Sequence, residues 1–205
     1  MIFEEKQKSQ PIEKRQVWEA FQKVKKNGGA SGVDKMSIAK VSAHARKYLY
    51  PIWNRMASGS YFPHPVREVE IPKADGRVRK LGIPTVLDRT AQMVIREELE
   101  AIVDKHFSAS SFGYRPNKSA HQAIKQCREN CMKLDWAIDL DIKSFFDEID
   151  HELMMKALSQ FTDKKHIHLY VQRWLEAPIQ KKNFWQAHDS YYLLPIKVDS
   201  SDAPV

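Results

Sequence analysis

Cysteine is nearly missing from these 205 residues: Cys127 and Cys131 are the only two. Four apart on an expected helix, they share a face on which disulfide geometry is poor. With no further cysteine, a Cys-rich zinc site is excluded. Both read as core or semi-exposed thiols of a reducing compartment, so the expected location is cytoplasmic. Long apolar runs are missing too. No stretch approaches the ~18 residues that suggest a membrane span, so no membrane partner is expected. The first residues, MIFEEKQKSQ, lack the apolar stretch of a secretory leader. Internal repeats and low-complexity tracts are also absent. The eight histidines show no ligand spacing. His166 and His168, two apart, would diverge on a helix.

What is present is a basic, globular composition. Hydrophobic residues make up 42% and charged residues 29%, enough apolar material for a core in one large domain or two small ones. The net charge is +7 and the pI about 9.3. That balance favours polyanion partners, because phosphate contacts by Lys and Arg release condensed counterions. It is equally the balance of an ordinary basic protein.

Periodicity divides the chain. Val17, Phe21 and Val24 recur at helical spacing after Pro11, and Asn27-Gly28-Gly29 should end that helix. A second helix is expected from Val41 to Met56, kinked or started by Pro51. VREVEI at 66–71 and RVRKLGI at 77–83 alternate around Ala74-Asp75-Gly76, which reads as a basic hairpin. Leu87, Ala91, Val94, Ile95, Leu99 and Ile102 outline a helix of about 15 residues. A loop follows over 108–118. Ser119 should cap a helix whose apolar face carries Ala123, Ile124 and Cys127. Residues 136–142, WAIDLDI, read as the clearest strand. Helices are expected at 151–158 and 165–175, and the pattern dissolves from Gln180.

The strand at 136–142 carries chemistry. With a period of two, Asp139 and Asp141 share one face and the apolar residues the other. Two close carboxylates repel unless a proton or cation intervenes. Oxygen ligands of that kind suit magnesium. Followed by KSFFDEIDH, the segment suggests metal-dependent phosphoryl transfer. The plain alternative is a strand end whose two Asp residues face water, and the hairpin's charges have an equally plain solubilising role.

Several ordered motifs together resemble one family. YFPHPVREVEIPKADGRVRKLGIPTVLDR, SFGYRPNKSAHQAI and DLDIKSFFDEIDH resemble the first blocks of group II intron reverse transcriptases, intron-encoded proteins that also assist splicing. NGGASGVDKMS resembles their extra N-terminal block, and RWLEAPIQ the segment after the first catalytic strand. The resemblance covers roughly residues 10 to 180. It implies that Asp141 is the first metal-binding aspartate of the polymerase palm, with the Ile142 carbonyl completing an Mg2+ site. It implies that Phe146 excludes a ribose 2′-hydroxyl, with Phe145 as a core neighbour. Lys73 and Arg79 would hold the triphosphate of the incoming nucleotide, as a point charge and a forked donor. Arg115 would contact template or nucleotide, or else hold its own loop. Arg67, Arg77, Lys80 and Lys118 are candidates for template-backbone contacts, or generic solvated charges.

The family's YADD-type and PQGG-type blocks are not found, and Asp199, Asp202 and Tyr191-Tyr192 do not replace them. The expectation is therefore an α+β fold: mostly helical fingers with a β-hairpin (1–118), an incomplete palm (119–180) and an unmatched tail (181–205). The resemblance implies an RNA-directed DNA polymerase ending before its active site is complete, inactive alone. Its partners would be template RNA, intron RNA, a DNA primer and deoxynucleoside triphosphates, with self-association through an unpaired sheet edge. A second reading is an RNA-binding, maturase-like module that aids splicing without synthesis. A third is the non-functional product of a disrupted mobile element.

Overall fold

The computed structural model describes residues 10–72, 76, 78–142 and 144–181. Lys73, Arg77 and the tail residues singled out at 191–202 lie outside them. The elements, in chain order, are α1 Lys14–Asn27, α2 Ile38–Ala43, α3 Ala45–Ser58, β1 Val66–Pro72, β2 Val78–Ile83, α4 Val86–Val103, α5 Ala120–Cys131, α6 Phe145–Glu148, α7 His151–Phe161, α8 Lys165–Leu175 and β3 Ile179–Gln180. The fold is α+β, as expected. The chain divides into two compact units, one reaching Arg96 and resuming at Lys165, the other Glu97–Lys164.

In the first unit, α1 begins at a capping box formed by Glu13 and Gln16 and buries Val17, Ala20, Phe21 and Val24. It packs on α3, which buries Leu49, Ile52, Met56 and Ala57. The single helix expected over 41–56 is two. Ser37 caps α2 earlier than expected, its hydroxyl accepting from Lys40 N, and the chain breaks at His44 (φ −127°, ψ 40°). Pro51 neither starts α3 nor interrupts it; it sits in its interior. At the end of α3, Gly59 adopts the left-handed conformation (φ 75°) that favours glycine.

The sheet has the order β2-β1-β3. The β1–β2 hairpin is antiparallel, pairing Arg67 with Ile83 and Pro72 with Val78. β3 joins β1 in parallel through Val66–Ile179. From α4 this unit buries Val86, Leu87, Ala91, Val94 and Ile95, and from α8 Ile167 and Tyr170. Burial pushes the Tyr170 hydroxyl up to about 12.

The second unit has little core. Leu158 and Thr162 are its buried residues among those described. Ser119 and Gln122 form the capping box expected for α5, yet that helix buries nothing, and Ile124 and Cys127 are exposed. The cysteines are free surface thiols rather than core residues. Among the described residues, 136–142 form no ladder, contrary to the expected strand. A strand exists only through pairing, and no described segment hydrogen-bonds alongside this one. Its apolar side is open to solvent, with Trp136 90% exposed.

Candidate active site

The hairpin expected to hold nucleotide and template is two-faced. Strand alternation puts Arg67, Val69 and Ile71 with Arg79, Leu81 and Ile83 on one face. Among the described residues, that face carries two guanidinium groups and no carboxylate. The other carries Lys80 with Glu68 and Glu70, and Lys80 Nζ lies 3.6 Å from Glu68 Oε1. Arg79 is exposed, whereas Arg67 is half-buried, with Nε enclosed and unbonded. At Gly82 a Cβ would meet Val66 Cγ1 at 2.8 Å, so glycine permits the close cross-strand fit there.

The hairpin is anchored by residues that the sequence reading did not single out. The buried Asp88 carboxylate accepts from Tyr61 Oη (2.7 Å), Thr85 Oγ1 (2.7 Å) and the His64 backbone N–H (3.2 Å). Thr85 Oγ1 accepts in turn from Asp88 N at 3.0 Å, capping α4. Burial, then the charge of Asp88, pushes the Tyr61 hydroxyl far above its ordinary range. The bond to Asp88 raises the His64 imidazole, with burial opposing. Arg173, on α8, donates to the Gly59 and Tyr61 carbonyls and stacks on Phe62 at 3.8 Å. Next to Asp88, Arg89 donates to Gly28 O (3.0 Å) and Ala30 O (2.7 Å). Gly32 rests on Thr85 so closely that a Cβ would stand 2.7 Å from its backbone. The NGGASGVDK loop is thereby clamped to the start of α4. The readable signal was Thr-x-x-Asp before an apolar run, a capping pattern.

In the second unit, Arg115 is 11% exposed and its guanidinium faces inward. It donates to Asp104 Oδ1 (2.7 Å), Asp104 O (3.1 Å), Ser108 O (2.7 Å) and Ser111 O (3.1 Å), and lies over Phe107 at 5.4 Å. The hydrogen bond from Arg115 holds the Asp104 carboxyl below the usual range. Arg115 therefore braces the loop between α4 and α5. Lys118 donates to Ala109 O at 3.1 Å and sits 5.0 Å from the Phe112 ring.

Asp139, Asp141 and Ile142 lie on the 136–142 segment, all exposed. Ser144, in the left-handed conformation (φ 52°), turns the chain into α6. Phe146 is 83% exposed; Phe145, edge-on at 5.4 Å, is the more covered ring but is not core. Carboxylate and carbonyl oxygens suit Mg2+. Among the described residues, however, no three His, Cys, Asp or Glu side chains converge. Among the described residues, no helix is long and apolar enough to cross a membrane.

The comparisons with known proteins meet this geometry. Residues 71–195, more than half of the chain, match the reverse transcriptase (RNA-dependent DNA polymerase) family. The match takes in most of the hairpin, the Arg115 loop and the Asp139–Asp141 segment, and reaches into the tail. The chain is 35% identical over 140 residues to protein YkfC of Escherichia coli (strain K12), covering 65% of this chain and 36% of that protein. It is 30% identical over 173 residues to the group II intron-encoded protein LtrA of Lactococcus lactis subsp. cremoris, covering 84% of this chain and 28% of that one. It is 37% identical over 118 residues to the putative COX1/OXI3 intron 1 protein of Saccharomyces cerevisiae (strain ATCC 204508 / S288c), covering 58% and 14%. The chain thus spans about a third or less of the length of these relatives. It belongs to the reverse transcriptase (RNA-dependent DNA polymerase) family, with the group II intron-encoded proteins as its relatives.

Proposed function

We propose that residues 1–118 supply the fingers, and 119–180 part of the palm, of an RNA-directed DNA polymerase encoded by a group II intron. The observation that carries this is one family match enclosing both Arg79, on a hairpin face with no carboxylate among the described residues, and the exposed Asp139–Asp141 segment. In this reading Asp141 and the Ile142 carbonyl are the first donors to magnesium, which would neutralise charge developing on the transferred phosphate. Lys73 and Arg79 hold the triphosphate of a deoxynucleotide, and Phe146 reads its sugar. Arg67 and Arg77, with Lys80 and Lys118 in support, attract the backbone of template or intron RNA. Arg115 acts by holding its loop. The partners are template RNA, intron RNA and a DNA primer, and the open 136–142 edge offers pairing to a second chain.

The test titrates the chain with a labelled RNA–DNA primer-template, with and without magnesium and the matching deoxynucleotide. The expected result is binding that falls steeply with salt. Asp141→Ala should abolish magnesium-dependent nucleotide binding and leave RNA affinity intact. These 205 residues alone should not extend the primer, since one aspartate cluster gives only part of a two-metal site. An absence of salt-dependent RNA binding would overturn the reading. So would nucleotide binding that Asp141→Ala leaves unchanged.

A further inference from the structure

A groove lies apart from the hairpin, between α1 and α3. Val17 and Leu49, both buried, form its floor. Trp18 (50% exposed) and Tyr50 (52% exposed) form its walls. Trp53 stands behind Tyr50, ring centroids 5.4 Å apart, and is fixed because its indole N–H donates to Ile12 O at 2.9 Å. The groove encloses about 220 Å³. That is below the ~300 Å³ at which pockets for drug-sized ligands begin, and is the scale of a single ring system.

Its electrostatics are one-sided. Lys14 and Arg46 are its charged lining residues, and among the described residues no carboxylate lines it. Lys14 Nζ sits 4.4 Å from the Trp53 ring centre and 5.5 Å from that of Tyr50, so aromatic faces rather than an anion hold it. Arg46 is exposed and has no ion-pair partner among the described residues. Of the described acids near the start of α1, Glu13 belongs to the capping box and Glu19 pairs with Arg15 at 2.7 Å. Half-exposed aromatic rings beside cations that have no ion-pair partner among the described residues suit an unpaired base with its flanking phosphates. An apolar protein segment would use the rings but would leave both cations unmatched.

We infer that the α1–α3 groove binds single-stranded RNA, an unpaired base stacking against Trp18 and Tyr50 while adjoining phosphates meet Lys14 and Arg46. The inference rests on the reading of the chain as an RNA-binding protein but uses a different face. Base stacking of this kind tolerates any sequence, because every base has a π-face. Base-paired RNA cannot supply a free base and should reach the chain through phosphates alone.

The test compares a single-stranded uridine decamer with a blunt RNA duplex of the same length, by fluorescence anisotropy on the full chain. Trp18→Leu/Tyr50→Leu keeps apolar bulk and removes the rings. It should weaken decamer binding at least about tenfold and leave duplex binding within about twofold. Lys14→Glu/Arg46→Glu should weaken decamer binding and flatten its salt dependence. Unchanged circular dichroism and melting temperature confirm the fold; a variant that melts early is replaced in the comparison by the charge-reversal pair. Undiminished decamer binding in both variants overturns the inference, as does an equal loss on duplex. A change in sedimentation with no change in RNA binding would make the groove a protein contact instead. If the unsubstituted chain bound neither RNA, the functional reading itself would fall; if Arg79→Ala weakened binding and the groove variants did not, the groove alone would.

Discussion

In the unit reaching Arg96 and resuming at Lys165, each helix with an apolar stripe has something to press it against. Val17, Phe21 and Val24 on α1, Ile52 and Met56 on α3, Val94 and Ile95 on α4, and Ile167 and Tyr170 on α8 are all buried. In Glu97–Lys164 the same local rules operate with a different outcome. α5 has a complete capping box, and Asp150 caps α7 through Glu152 N and Leu153 N, yet α5 buries nothing and α7 only Leu158. Trp136, Ile138, Leu140 and Ile142 face solvent. Capping and periodicity are local and suffice to form a helix. Burial needs a second surface, and most of a helix's stability in a protein comes from that surface.

The largest expected effect lies at the polar anchor of the well-packed unit. Asp88→Ala leaves the buried Tyr61 and Thr85 hydroxyls without their charged acceptor. The expected loss is about 3–4 kcal/mol, since each bond to a charge and each buried unsatisfied group weighs on the order of 1–3 kcal/mol. Urea denaturation followed by circular dichroism measures it. A loss below about 1 kcal/mol would mean that the anchor is dispensable and would weaken the contrast between the units.

The same contrast governs what the sequence made legible. α1, α4 and α8 were readable because their period matches a face that the fold buries, whereas the hairpin and α7 were readable from alternation and helical spacing although the hairpin buries no described residue and α7 only Leu158. The cap of α5 was readable from Ser119 and Gln122, but its exposure was not, because exposure depends on a partner and not on the helix's own residues. WAIDLDI alternates correctly for a strand, yet pairing is a property of two segments. The break at His44 was missed because Pro51 is the stronger local signal and Ser37 the effective one. At the candidate site, Asp141, Phe146 and Arg79 came from motif resemblance. Asp88 and Arg89 stood inside a quoted motif, but their role depends on Tyr61, His64, Gly28 and Ala30, between 24 and 61 residues away in sequence.

A smaller effect, of opposite pH sense to that of an ordinary buried carboxylate, is expected at His64. Its folded-state pKa is raised above 6.5, first by the hydrogen bond to Asp88, with Asp34 adding and burial and Arg55 opposing. A raised pKa on a base means stabilisation that is fully present below the unfolded value and lost as pH rises through the folded one. The denaturation midpoint should therefore fall as pH rises above the ordinary histidine value of about 6.5, and His64→Gln should fall less. His64 is nearly half exposed, so solvent screening keeps the difference small. Equal slopes in the two proteins would remove His64 from the anchor.

The smallest effect on stability is expected where the largest apolar side chains are. Trp136→Ser and Leu140→Ser replace residues that are 90% and 88% exposed in a segment without ladder partners. Surface substitutions of that kind stay within about 0.5 kcal/mol, far below the loss at Asp88. The same substitutions should lower any self-association seen by sedimentation velocity, because an exposed, unpaired, alternating apolar segment is a template for strand pairing. A large loss of stability would show that this segment packs in solution, making both units cored. Unchanged stability together with unchanged association would mean that the edge is shielded without pairing. The contrast holds if folding is indifferent to Trp136 and Leu140 while association is not, because the second unit's apolar residues are then held ready for a surface outside that unit.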